Sequence, residues 1–137
     1  MIVIGGQFTT AGSDLAINKT LRNTGTSPTS LYLGLATAAV TDASTLASIT
    51  EVTTAGYSRQ AVTFTAPSGD PSATANSADI TFGPFSADPP SIAYAFVTDA
   101  ASGTAGTIYA YWDGTAVDAG SGESIVVRAG DLDFTVD

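Results

Sequence analysis

The chain contains no cysteine and no histidine. Disulfides, thiol nucleophiles, the usual Cys/His zinc sites and histidine acid–base chemistry are all excluded at once. The missing cysteine assigns no compartment; it means only that the fold does not depend on redox conditions. Positive charge is also scarce. Lys19, Arg22, Arg59 and Arg128 stand against 13 acidic residues, for a net charge of −9. Nucleic-acid binding relies on clustered Lys and Arg to displace counterions from phosphates, and four scattered cations form no such cluster. Anionic membrane surfaces are disfavoured on the same ground. No stretch approaches the roughly 20 apolar residues of a spanning helix. The opening Met1-Ile2-Val3-Ile4 is too short for a signal-peptide core and lacks a basic lead, so export by that route is not expected.

What is present suits strands and tight turns. Hydrophobic residues make up 44% of the 137-residue chain and charged ones 12%, so polarity comes from Thr, Ser, Asn and Gly instead. β-Branched Thr and Val favour the pleated surface, while Gly, Asn and Ser favour turns. The length fits one domain with a core that needs no staples. Residues 1–10 read as an N-terminal arm, apolar at first and broken at Gly5-Gly6. Ser13 or Asp14 then caps a short helix through about Asn23, with Leu15, Ile17 and Leu21 on a loosely apolar side. Asn23-Thr24-Gly25 ends it, and Pro28 prevents continuation.

From Leu31 onward the pattern has period two. Leu31, Leu33 and Leu35 share one face, with Tyr32, Gly34 and Ala36 opposite. The Thr/Ala/Ser-rich stretch through about Ser48 reads as the longest loop, of the kind that often meets partners. Glu51-Val52-Thr53 reads as a short edge strand, and Val62 and Phe64 face inward in the next. Pro67–Ser77 is turn-forming, Ile80 and Phe82 form another inward face, and Pro84 closes that strand. Ser91–Thr98 is apolar on both faces, which places it centrally or under another subunit. Thr107–Trp112 makes a further strand. The end reads as a hairpin, Glu123–Arg128 and Asp131–Val136 about Ala129-Gly130, with Leu132, Phe134 and Val136 inward. The expectation is all-β: a single antiparallel β-sandwich, or flattened barrel, of about seven strands over residues 11–137, preceded by the arm and one short helix.

Candidate chemistry is thin. Without histidine, a serine nucleophile has only Lys19 or a carboxylate to activate it, and Lys19 lacks the Ser-x-x-Lys spacing. Paired acids for glycoside cleavage are easy to draw among 13, but Asp42, Asp70, Asp88, Asp99, Asp113 and Asp118 fall in turns, where Asp bonds its own backbone. Calcium is the one cofactor with candidate ligands. Asp131 and Asp133 share a strand face, and Asp113, Asp118 and Glu123 flank a Gly-rich loop. Their spacing matches no EF-hand, so solvated carboxylates are the preferred reading and no cofactor is expected. No catalytic residue is assigned. Tyr109, Tyr111 and Trp112 form a candidate interface: the two tyrosines share a face for stacking on a sugar or anchoring a partner, with ordinary packing as the competing reading. Arg59, a lone cation among acids, is expected to pair with a carboxylate for structural reasons.

Several stretches in order carry a resemblance: Leu31-Tyr32-Leu33-Gly34-Leu35, Gly56-Tyr57-Ser58-Arg59-Gln60-Ala61-Val62-Thr63-Phe64, Asn76-Ser77-Ala78-Asp79-Ile80-Thr81-Phe82, and Ala119-Gly120 through Ala129-Gly130-Asp131-Leu132-Asp133-Phe134 to Asp137. From about Gly12 the chain resembles a family of small tailed-bacteriophage virion proteins, labelled head decoration, head fibre or tail fibre protein. The resemblance implies a non-enzymatic structural protein on the particle surface, made in the host cytoplasm. It is expected to be a capsid decoration or head-fibre subunit, with a receptor- or carbohydrate-binding tail fibre module as the alternative. The expected partners are other copies of itself, a trimer by the role, and the major capsid protein or other virion proteins. Nucleic acid and membrane are not expected partners.

Overall fold

The computed structural model describes residues 5–136. In chain order the elements are β1 (Gln7–Phe8), α1 (Thr10–Thr20), β2 (Tyr32–Ala36), β3 (Gln60–Ala61), β4 (Ser72–Thr74), β5 (Ile80–Phe82), β6 (Ile92–Thr98), β7 (Ile108–Val117), β8 (Ile125–Val127) and β9 (Phe134–Val136). Five strands form one antiparallel sheet in the order β1-β7-β6-β2-β3, while β4–β9 and β5–β8 are separate two-stranded ribbons. The sheets do not close into a barrel. Of the stretch read as an arm, Met1–Ile4 lie outside the described residues, and Gln7–Phe8 pair with Tyr111 and Ala110 at the edge of the sheet.

The main core lies between the large sheet and the ribbons. Leu33, Leu35, Ile92, Val97 and Trp112 from the sheet meet Ile80, Phe82, Ile125, Val127, Leu132 and Phe134 from the ribbons and their connections. β6 is central, which accounts for its double-sided apolarity: Ala95 and Val97 face this core, and Phe96 faces a second one. That second core is covered by the long connection after β2. Val40 and Leu46 are buried there with Ala36, Phe96, Ile108 and Tyr111, and Ile49 packs alongside. The segment read as a loop for partners is therefore a lid on the sheet's other face.

The structure corrects four local expectations. The helix starts earlier than Ser13: Thr9 is its cap, its hydroxyl oxygen accepting from the Gly12 amide at 3.1 Å while donating to the Ile108 carbonyl. It ends at Thr20, and the chain then turns through Asn23 and Gly25, both at positive φ. Glu51 makes an isolated bridge with Ala36 rather than a strand. The turn-rich stretch 67–77 contains β4, paired with β9.

The terminal hairpin is the fourth correction. Its turn exists, with the Asp131 amide donating to the Arg128 carbonyl at 3.0 Å, but β8 pairs with β5 and β9 with β4. The cause is the buried side chain of Asn76. Its Nδ2 donates to the Arg128 carbonyl at 2.8 Å and its Oδ1 accepts from the Leu132 amide at 2.9 Å. Those are backbone groups that a hairpin ladder would use, so the two strands diverge. Leu132 and Phe134 still face the core, while Val136 is 51% exposed at the ribbon's edge.

Candidate interaction surfaces

Four of the carboxylates weighed for chemistry hold backbone amides. Asp88 accepts from the Ser121 amide, Asp99 from Thr107, Glu123 from Gly120 and Asp131 from Arg128, all at 2.7–3.0 Å. The five residues considered as calcium ligands, Asp113, Asp118, Glu123, Asp131 and Asp133, are not gathered. Among the described residues, no three acidic side chains converge on one point.

The aromatic strand is divided three ways. Trp112 is 1% exposed, lies in the main core, and donates its indole N–H to the Asp133 carbonyl at 2.8 Å. Tyr111 is buried in the second core, where its hydroxyl meets Asp42 Oδ1 at 2.6 Å and Gln7 Oε1 at 2.8 Å. A hydroxyl has one proton, and the shorter contact to the carboxylate takes it. Burial, then Asp42, pushes this phenol up to about 12. Tyr109 is the extra residue of a β-bulge, since Val97 pairs with Ala110 and Thr98 already with Ile108. The bulge breaks the alternation that would have put Tyr109 and Tyr111 together. Tyr109 is half-buried, and its hydroxyl donates to Asp99 Oδ2 at 3.1 Å.

Arg59 has the carboxylate partner that its isolation suggested. Its Nε and Nη2 reach the two Glu51 oxygens at 2.8 and 2.7 Å, a bidentate pair. Nη1 and Nη2 also donate to the carbonyls of Ala100 and Gly103, both at 2.9 Å, which fixes the 99–106 connection. Tyr57 completes the cluster. Its hydroxyl donates to Glu51 at 2.7 Å and accepts from the Leu35 amide at 2.9 Å, tying the group to β2. Burial raises the Tyr57 phenol well above its ordinary range, and the Glu51 hydrogen bond raises Arg59 further. The guanidinium carbon lies 5.6 Å from the centre of the Phe96 ring, and that ring in turn lies against Gly34, where any side chain would strike it. Gly34, Tyr57 and Arg59 thus form one locked unit that ties β2 to the 99–106 connection.

Open apolar surface occurs at one side of the molecule. Phe8, Leu31, Phe64, Val97, Trp112 and Phe134 line a cleft of about 260 Å³ beside Tyr109. A neighbouring cleft, reached past Phe8, Leu31 and Tyr109, runs under α1 along Leu15, Ala16 and Pro28. No single stretch of the sequence marks this side, because Phe8 lies in β1, Leu15 in α1 and Leu31 just before β2.

A β-rich body in which several charged groups brace turns and loops, with apolar clefts open at one side, is built for packing and contact; it belongs to the structural class of proteins. Residues 7–135 match the family model described as podophage GP4 fiber I protein gp80, and the chain belongs to that family. It is therefore a phage fibre protein, a structural component of the virion. No curated protein matches the chain.

Proposed function

We propose that the chain works without catalysis as a head-fibre or capsid-decoration subunit, assembled from several copies of itself and seated on the major capsid protein or another virion protein. A trimer is the count expected of such a role. The observation that carries this reading is the commitment of Tyr111 and Trp112 to the two cores. A glycan-binding tail tip needs an exposed aromatic platform, and the strand that would supply one is spent on holding the body together. The Glu51–Tyr57–Arg59 lock supports the same reading, since a virion part must persist as a rigid body. Repetition then gives firm attachment, because each further contact of a linked assembly is effectively intramolecular.

Immunogold electron microscopy of intact particles, with antibody against this chain, is the test. Regular labelling over the head is the expected result. Labelling confined to the tail overturns the placement and makes the exposed side of Tyr109 the next surface to probe with glycans.

A further inference from the structure

A cleft and a segment of this chain match each other in chemistry and in size. The cleft is the one walled by Phe8, Leu31, Phe64, Trp112 and Phe134, whose open wall is wholly apolar and whose volume is about 260 Å³. Water settles in such a space only with two to four polar partners, which this wall does not offer. A dry apolar cavity of about 150 Å³ takes up benzene, with its six carbons. This cleft therefore has room for two side chains of four carbons each.

The segment is Met1-Ile2-Val3-Ile4, four consecutive apolar residues joined to the body through Gly5-Gly6. In an extended chain Ile2 and Ile4 share one side, about 7 Å apart, and together present two such four-carbon side chains. Burying them strips no polar side chain of water. The large exposed hydrophobic residues among those described, Ile17, Leu21 and Val136, sit one by one on a helix, its cap and a paired strand. None of them forms a run.

The start of the chain is aimed away from the cleft of its own subunit. The Gly6 amide donates to the Asp133 carbonyl at 2.7 Å, and Trp112 and Phe134 lie so close to Gly6 that any side chain would strike them. From that pinned point β1 runs towards the cleft, which it meets at Phe8, so the residues before Gly6 lead the other way. Pairing with β7 stops at Gln7, and Gly5 is exposed with open space where a side chain would begin. Turning back takes four residues. With Gly6 fixed, those four are Val3 to Gly6, which traps Ile4 in the turn and leaves only Met1 and Ile2 to enter.

We infer that Met1–Ile4 of one copy docks in the apolar cleft of a neighbouring copy, with Ile2 and Ile4 entering beside Phe64 and Trp112. This rests on the self-association proposed above and names the two parts that perform it. Each copy gives one segment and receives one, so every cleft in a closed assembly is filled.

The chain contains no cysteine, so single thiols can be placed on each side of the contact. Full-length chains carrying Ile4→Cys are mixed with mass-tagged chains carrying Thr74→Cys, at the cleft wall, and oxidised. A disulfide joining the two kinds of chain is expected in at least tenfold excess over that formed with Ser102→Cys, an exposed site on the 99–106 connection. No such excess overturns the cleft as the seat. A disulfide that closes within single chains of the doubly substituted Ile4→Cys, Thr74→Cys protein puts the segment in its own cleft and overturns the exchange. Light scattering across a range of concentrations then gives the mass. The parent is expected as an oligomer, and Ile2→Asp with Ile4→Asp as a monomer of unchanged circular dichroism spectrum. An oligomer that survives those two changes overturns the segment while self-association stands. A parent chain that is monomeric at every concentration overturns both, and particle labelling is independent of all these results.

Discussion

The connection 37–50 and helix α1 invert the usual relation between regularity and burial. The connection has no repeating secondary structure, yet Val40 and Leu46 are 3% and 4% exposed and seal one face of the sheet. The helix is regular and capped, yet it presents Leu21 almost wholly to solvent. What decides burial is whether an apolar side chain finds a surface needing cover. The sheet's second face, with Phe96, Ile108 and Tyr111, needs a lid, and three apolar residues spaced along an irregular segment supply it. The helix reaches β7 through a glycine and turns its larger residues elsewhere.

That contrast can be broken or sharpened by substitution. The largest effect is expected on the lid side, where Arg59 fastens the 99–106 connection. Arg59→Ala leaves Glu51 without its ionic partner and frees the carbonyls of Ala100 and Gly103. A loss of about 3 kcal/mol in urea unfolding is expected, the lower end of the range for breaking a buried pair because Glu51 keeps some access to water. Leu46→Ala comes next, at about 2–3 kcal/mol, the cost of a cavity beneath the lid. A loss under about 0.5 kcal/mol would mean that the connection is not a lid at all.

Alkaline pH probes the same side more gently. Burial holds the Tyr111 phenol up to about 12, against an ordinary value near 10. A proton bound more tightly in the folded state stabilises it fully below pH of about 10, and that contribution is lost as pH rises towards 12. The melting temperature is expected to fall across this window, and to fall less steeply in Tyr111→Phe. The smallest effect belongs to the helix. Leu21→Ala is expected to change subunit stability by less than about 0.5 kcal/mol, as for other exposed sites; a change comparable to that of Leu46→Ala would erase the distinction between the two regions.

These two regions also show where the sequence could be read. Strands with strict alternation were legible: Leu33 and Leu35, Ile80 and Phe82, and the double-faced 92–98 segment all lie where period two placed them. The partner of Arg59 was legible too, because one cation among many acids has few alternatives. The lid was not, since Val40, Leu46 and Ile49 follow no period. β4 was hidden because Ser72-Ala73-Thr74 carries no apolar signal and gains its strand from pairing with β9. The terminal hairpin was misread because turn chemistry is local while strand pairing is not. Ala129-Gly130 does turn the chain, but an asparagine more than 50 residues earlier takes the backbone groups between the strands. The shared face expected of Tyr109 and Tyr111 is lost to a single bulged residue, Tyr109, which no alternation pattern reports.

Asn76 has a use beyond the fold. One amide side chain clamps the base from which the β4–β9 ribbon departs, whereas the far end of that ribbon is the exposed turn at Gly69-Asp70, closed by paired hydrogen bonds between Ser68 and Ala73. Events at the tip are thus insulated from the clamp. A foreign peptide spliced between Gly69 and Asp70 would be carried outward on a stalk whose root does not move, which makes this turn a natural position for peptide display on assembled particles.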